Sequence, residues 1–269
     1  MKKFWKRLII GILLLIIIIC IILFNLSNEN NEEAVSSSSL SNTKIEWGIK
    51  RAENHEQPDL GSENEELISK YNGIALGNEE KNYIYLTFDL GYEAGYTETI
   101  LDVLKEKNVQ GTFFVTAHYV NSASDIVQRI IDEGHILGNH TVNHYSMPDL
   151  SDEEINNEIM TLHQTVYEKY GYEMKYIRPP MGEFSERTLS ISNSLGYKTV
   201  MWSFAYVDWN EDNQPSEDEA IDKIISNLHN GEVMLLHATS ATNASIIGDV
   251  IDKIEEEGYE IRSLDDFVE

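Results

Sequence analysis

Tyr83-Ile84-Tyr85-Leu86-Thr87-Phe88-Asp89-Leu90-Gly91 is an aromatic and β-branched run that carries a carboxylate at its end. Such a run is the signature of a buried strand. A carboxylate directly after an apolar strand must be paired or functional to justify its desolvation. The pattern repeats downstream, where further chemistry-bearing motifs stand at or just beyond expected strands. They are His140-Thr141-Val142-Asn143-His144, Arg178-Pro179-Pro180, Asp208-Trp209 and Leu235-Leu236-His237. Between them the chain alternates. Ile100, Leu101, Val103 and Leu104 have helical spacing within an expected helix at 99–107. Further helices are expected at 125–133, from the capping box Ser151-Asp152-Glu153-Glu154 to about 170, at 185–195, from Ser216-Glu217-Asp218-Glu219 to about 229, and at 246–257. Strands are expected at 111–116, 135–139, 175–178, 197–203, 232–237 and 259–262. Strict alternation implies parallel strands with crossover helices. The expected fold is α/β, a distorted (β/α) barrel of about seven parallel strands, with one pocket at the C-terminal rim.

The spacing of the polar residues suggests their chemistry. His140 and His144 are four positions apart, so both imidazoles can reach one ion. A zincin would carry Glu after the first His, and Thr141 stands there instead. Arg178 precedes two prolines that fix its backbone, which suits it to hold a carboxylate. His237 ends the apolar strand 233–236, the same kind of position as Asp89. His55, His163 and His229 are read as structural.

The 46 Asp plus Glu against 20 Lys plus Arg give a net charge of −26. That balance argues against nucleic acid as a partner and against electrostatic docking on anionic lipid. Lys2, Lys3, Lys6 and Arg7 precede an unbroken apolar run at 8–24. At helical rise the run covers about 25 Å, slightly under a hydrocarbon core of about 30 Å, and Phe4 and Trp5 extend it. With Glu29, Glu32 and Glu33 following, it reads as one transmembrane helix with the N-terminus inside. A cleaved signal peptide is the rival, but Phe24-Asn25-Leu26-Ser27 offers no small-x-small site. Cys20, the only cysteine, lies inside the run and leaves the outer domain without an intrachain disulfide. The expected organisation is a cytoplasmic stub and anchor at 1–24, a flexible Ser/Asn linker at 25–44, an extension at 45–79 and a main domain at 80–269, extracytoplasmic and monomeric.

Taken together, the motifs resemble those of the NodB-homology polysaccharide deacetylases, carbohydrate esterase family 4, over about residues 80–269 and in the family's order. The resemblance implies that Asp89 is the general base, His140 and His144 are metal ligands, and Arg178 pairs with the base. It implies that His237 is the general acid, tuned by Asp208, and that Trp209 and Leu235 line the acetyl pocket. Met181 is expected to offer a backbone N–H to the oxyanion. The family's second aspartate is replaced by Leu90, which implies an incomplete protein ligand set for a divalent metal. Zinc is the metal it points to, with cobalt, nickel or manganese as alternatives; Glu93 is weighed as a further ligand.

Leu90, with the segments 91–97, 178–185 and 207–209, looks like the delta-lactam branch of spore formers. That branch deacetylates N-acetylmuramic acid in peptidoglycan on the way to the muramic lactam of spore cortex. The alternatives are an N-acetylglucosamine deacetylase acting on peptidoglycan or chitin-like chains, and a non-catalytic carbohydrate-binding protein on a degenerate scaffold. Retention of Asp89, Arg178, Asp208 and His237 speaks against the last, because binding alone needs no acid–base pair.

Overall fold

The structure is a computed structural model and describes residues 40–268. The expected membrane segment at 8–24 and most of the linker lie outside the described residues. Among the described residues no helix is long and apolar enough to cross a membrane. The strands are β1 (Ile45–Glu46), β2 (Tyr83–Leu90), β3 (Thr112–Val115), β4 (Ile136–Asn139), β5 (Tyr176–Ile177), β6 (Glu183–Phe184), β7 (Lys198–Thr199), β8 (Glu232–His237) and β9 (Glu260–Ile261). The α-helices are α1 (Ser62–Lys70), α2 (Thr97–Lys107), α3 (Ala117–Ser122), α4 (Ser124–Asp132), α5 (Asp152–Tyr170), α6 (Glu186–Ser194), α7 (Glu217–Ile225) and α8 (Ala241–Glu256).

Seven strands form a parallel sheet in the order β7-β5-β4-β3-β2-β8, with β9 paired to the start of β2. The segment after β7 draws the two sheet edges together. At one edge Val200 N donates to Ile177 O, and at the other Ser203 N donates to Val233 O and Leu235 N to Phe204 O. Between them Met201 N donates to Ile74 O. The expected strand at 197–203 is therefore regular only over Lys198–Thr199, because it must exchange one partner strand for another within a few residues. This seam makes the sheet a distorted barrel.

Alternation along β2 sorts its side chains. Ile84, Leu86, Phe88 and Leu90 face the helices and join the large cluster that holds Ile100, Leu104 and Ile247. Tyr85 turns to the other face with Phe114, Tyr176, Val200 and Val233, inside the barrel. Thr87 and Asp89 share that inner face by the same period. Helix starts follow the sequence. Ser151, Ser185 and Ser216 close capping boxes, and Ser240 caps α8, which begins earlier than its apolar period suggests.

The extension is built onto the barrel. β1 pairs antiparallel with β6, and Trp47, Leu60 and Ile68 bury themselves with Phe184, Leu189 and Met201. Asn42 and Lys44 are already bonded, to Pro148 O and to Asp149 and Glu183 respectively. Helix α1 escapes a periodicity reading because it buries only Ile68 and has no side-chain cap.

Candidate active site

The functional side chains gather where the parallel strands end. Asp89 is the penultimate residue of β2 and stands opposite His237, the last residue of β8, in the parallel register. Asp89 is buried, and its Oδ1 accepts from Arg178 Nη1 at 2.8 Å. Arg178 has no exposed surface. Its Nε donates to Val200 O and its Nη2 to Thr87 Oγ1 and Met201 O. The guanidinium lies 4.3 Å from the centre of the Phe114 ring. Gly138 makes room for that ring, since a Cβ there would stand 2.5 Å from it. The side chain that bears the charge is thus held by the seam, by β2 and by a ring packed beneath it. Burial alone would raise the Asp89 pKa, but Arg178, His140 and His237 outweigh it and hold the carboxyl below its usual value.

Beyond β4 the chain turns through two left-handed residues, Thr141 and His144, which directs both histidines to one place. His140 Nδ1 is 2.8 Å from Arg178 O. A carbonyl only accepts, so Nδ1 carries the proton and Nε2 presents a lone pair. That Nε2 is 3.2 Å from His144 Nε2 and 3.6 Å from Asp89 Oδ2. Burial lowers the pKa of both rings, that of His140 to about 4, so both are neutral near pH 7. Two neutral imidazole nitrogens this close fit one divalent ion with metal–nitrogen distances of about 2.0–2.1 Å. Among the described residues, no group of three or more His, Cys, Asp or Glu side chains is arranged to hold a metal. The two imidazoles lie together at the cavity, with Asp89 Oδ2 beside them.

Glu93 is not a further ligand. Its carboxylate is engaged by Gly95 N, Thr97 Oγ1 and Tyr119 OH at the start of α2. Leu90 is fully buried in the apolar layer beneath the helices, on the opposite face of β2 from Asp89.

Across the pocket, Asp208 is fully buried. Its Oδ1 is 2.7 Å from His237 Nδ1, and its Oδ2 accepts from His237 N and from Asn243 Nδ2. Tyr206 OH in turn donates to Asn243 Oδ1. Burial disfavours the His237 imidazolium, but the hydrogen bond and charge of Asp208, with Asp89 beyond, leave its pKa raised. Nε2 is the nitrogen left for a substrate. Asn243 and Tyr206 were invisible to a motif reading, because they act on Asp208 rather than on the pocket.

Trp209, Leu235 and Met181 line the same cavity of about 800 Å³ as Asp89, His140, His144 and His237. Trp209 meets the His237 ring edge-on at 5.5 Å and is half exposed, while Leu235 is buried. Met181 holds a left-handed backbone with φ 58° just before Gly182. These residues therefore come to one place, with Arg178 behind Asp89 and Asp208 behind His237, whereas Glu93 stands apart. The extension was not expected there, yet Trp47, Ile49 and Arg51 line the cavity too.

Comparison with known proteins supplies the family. The polysaccharide deacetylase family pattern matches residues 76–200. The peptidoglycan-N-acetylmuramic acid deacetylase PdaA of Bacillus subtilis is 42% identical over 87% of this chain and 90% of its own length. The chain belongs to carbohydrate esterase family 4, the polysaccharide deacetylases. The solved structure of Bacillus subtilis PdaA, described as a family 4 carbohydrate esterase, superposes on this deacetylase with a TM-score of 0.82. It is 43% identical and covers 85% of this chain and 98% of its own. A peptidoglycan-N-acetylglucosamine deacetylase of Bacillus cereus is 34% identical over 70% of the chain and 67% of its own length. The protein is a hydrolase of this family.

Proposed function

We propose that this deacetylase removes the N-acetyl group of N-acetylmuramic acid in peptidoglycan, on the way to muramic δ-lactam in spore cortex. The observation that carries the chemistry is the opposition of two acid–base groups across one cavity, each held by a buried charged partner. Asp89 is fixed by Arg178 on one side, and His237 is oriented by Asp208 on the other. The substrate assignment is supported by the likeness to the Bacillus subtilis enzyme along nearly its whole length.

His140 and His144 would hold a divalent ion, zinc before cobalt, nickel or manganese. Bound there, it would supply Lewis-acid polarisation of the acetyl carbonyl. Asp89 Oδ2, the oxygen not taken by Arg178, accepts a proton from the attacking water. The Met181 backbone N–H, presented by its left-handed turn, donates to the developing oxyanion. His237 Nε2 protonates the departing nitrogen, with Asp208 stabilising the imidazolium beforehand. Water has then added to the carbonyl carbon and the C–N bond has broken, leaving acetate and a free sugar amine. Trp209 and Leu235 face the acetyl methyl.

The run at 8–24 would anchor a monomeric enzyme on the outer face of the membrane, where glycan strands of the wall are within reach of the tethered domain. Mass spectrometry of peptidoglycan digested with the protein tests the assignment. Acetyl loss from muramic acid supports it. Loss from glucosamine instead would favour the reading suggested by the Bacillus cereus relative. A deletion strain should lack muramic lactam, and domain resistance to protease on intact protoplasts would refute the orientation.

A further inference from the structure

Among the described residues Asp89 is the one carboxylate lining the cavity, and two cations line it with the histidines: Arg51 from the extension and Lys223 from α7. In a chain of net charge −26, a catalytic cavity with a cationic wall calls for a reason. Neither cation makes a direct ion pair among the described residues, although Glu232 lies within electrostatic reach of Arg51 and Glu219 within reach of Lys223. Arg51 donates one N–H, from Nη2, to Ala205 O and lies 5.4 Å from the centre of the Phe204 ring. Its remaining donors stay available on an exposed side chain.

Its backbone is fixed as well. Lys50, the preceding residue, exchanges two backbone hydrogen bonds with Asp59. Trp47 bonds Gly182 O through its backbone and Trp202 O through its indole. The strip from Trp47 to Arg51 is therefore a fixed wall that ends in a guanidinium.

We propose that Arg51, assisted by Lys223, reads a carboxylate carried by the substrate on the 3-oxygen of the sugar to be deacetylated. This rests on the N-acetylmuramic reading. Muramic acid differs from glucosamine by a lactyl ether on the carbon next to the one bearing the acetamide, and that ether ends in a carboxylate. An acetamide held between Asp89 and His237 places this substituent elsewhere in the same cavity, where the cationic wall stands. A guanidinium with free donors matches a carboxylate better than any other side chain. Arg51 is thus a specificity residue, outside the bond-breaking step.

The test uses peptide-free glycan of alternating N-acetylglucosamine and N-acetylmuramic acid, as the free acid and as the methyl ester of the lactyl group. On the ester the wild-type protein should lose about tenfold in kcat/KM, the size expected for one partly exposed charge-assisted bond. Arg51→Gln should lose the same on the free acid and nothing further on the ester, while Arg51→Lys retains part of the preference. Lys223→Gln should act in the same direction and more weakly. Arg51→Gln losing equally on acid and ester would overturn the proposal, because it would mean that the residue only braces Ala205 and Phe204. An unchanged rate on the acid would overturn it too, as would equal wild-type rates on acid and ester. A wild-type protein that releases acetate from glucosamine and leaves muramic acid intact would refute the underlying substrate reading instead.

Discussion

Replacing Arg178 with lysine tests whether one guanidinium holds both the active site and the barrel seam. Its hydrogen bonds reach four acceptors: Asp89 Oδ1, Thr87 Oγ1, Val200 O and Met201 O. An ammonium on a shorter, non-planar head keeps Asp89 and at most one other. Two buried acceptors then lose their donor, at a cost of about 1–3 kcal/mol each when left dry. Some relaxation of the seam offsets this, so Arg178→Lys should destabilise by about 2–4 kcal/mol. That is a large share of a typical total of about 5–15 kcal/mol. Arg178→Ala should cost about 3–5 kcal/mol, since it leaves the Asp89 carboxylate buried without its counter-charge. Urea unfolding followed by circular dichroism measures both. Adding Asp89→Asn to Arg178→Ala should restore part of the loss, with a coupling of about 2 kcal/mol. An Arg178→Lys protein within about 1 kcal/mol of wild type would refute the argument, as would strictly additive effects in the double variant.

Other consequences are open to direct measurement. Asp89→Asn and His237→Ala should each lower turnover by about 10²–10⁴-fold in steady-state assays. Asp208 raises the His237 pKa, so Asp208→Asn should move the alkaline limb of the pH–rate profile to lower pH; an unmoved limb would mean that another group donates the proton. His140→Ala should abolish zinc binding in calorimetry, whereas Leu90→Asp should destabilise the fold without tightening binding, because residue 90 faces the apolar layer. Glu232 is wholly buried, its Oε1 has no partner, and burial raises its pKa well above the usual value. The folded state therefore holds a proton that the unfolded state releases above about pH 4.3, and stability falls as pH rises from there through the folded pKa. Glu232→Gln should flatten that fall in urea titrations at about pH 5 and about pH 8.

Much of this was legible from residue patterns because the patterns are local. Strand β2 announces itself through its aromatic run, and α5 and α7 through their capping boxes. The positions of Asp89, Arg178 and His237 followed from strand ends, which is where a parallel barrel presents chemistry, whereas Asp208 was singled out by the family resemblance. What stayed hidden depends on partners distant in the chain. The segment at 197–203 has strand-like composition, but its division between β5 and β8 is set by barrel closure. Asn243 and Tyr206 matter only through Asp208. Leu90 suggested a missing ligand, and the pleat of β2 turns that residue to the other face. The extension, with its weakly periodic helix, gave no sign that it would wall the pocket.

The place of β2 in the sheet bears on how the chain reaches its native state. Its partners are β3, close in sequence, and β8 and β9, close to the far end of the chain. Thr87 alone reaches across 147 positions to bond Met234 O. Contacts of that span are entropically costly to form and slow folding. During synthesis the first barrel strand must wait, one edge unpaired, until nearly the whole domain has emerged, and only then does Asp89 meet His237. The catalytic pair is thus assembled among the last events of folding, and a chain shortened before Glu232 would be left with an open strand edge, prone to aggregate.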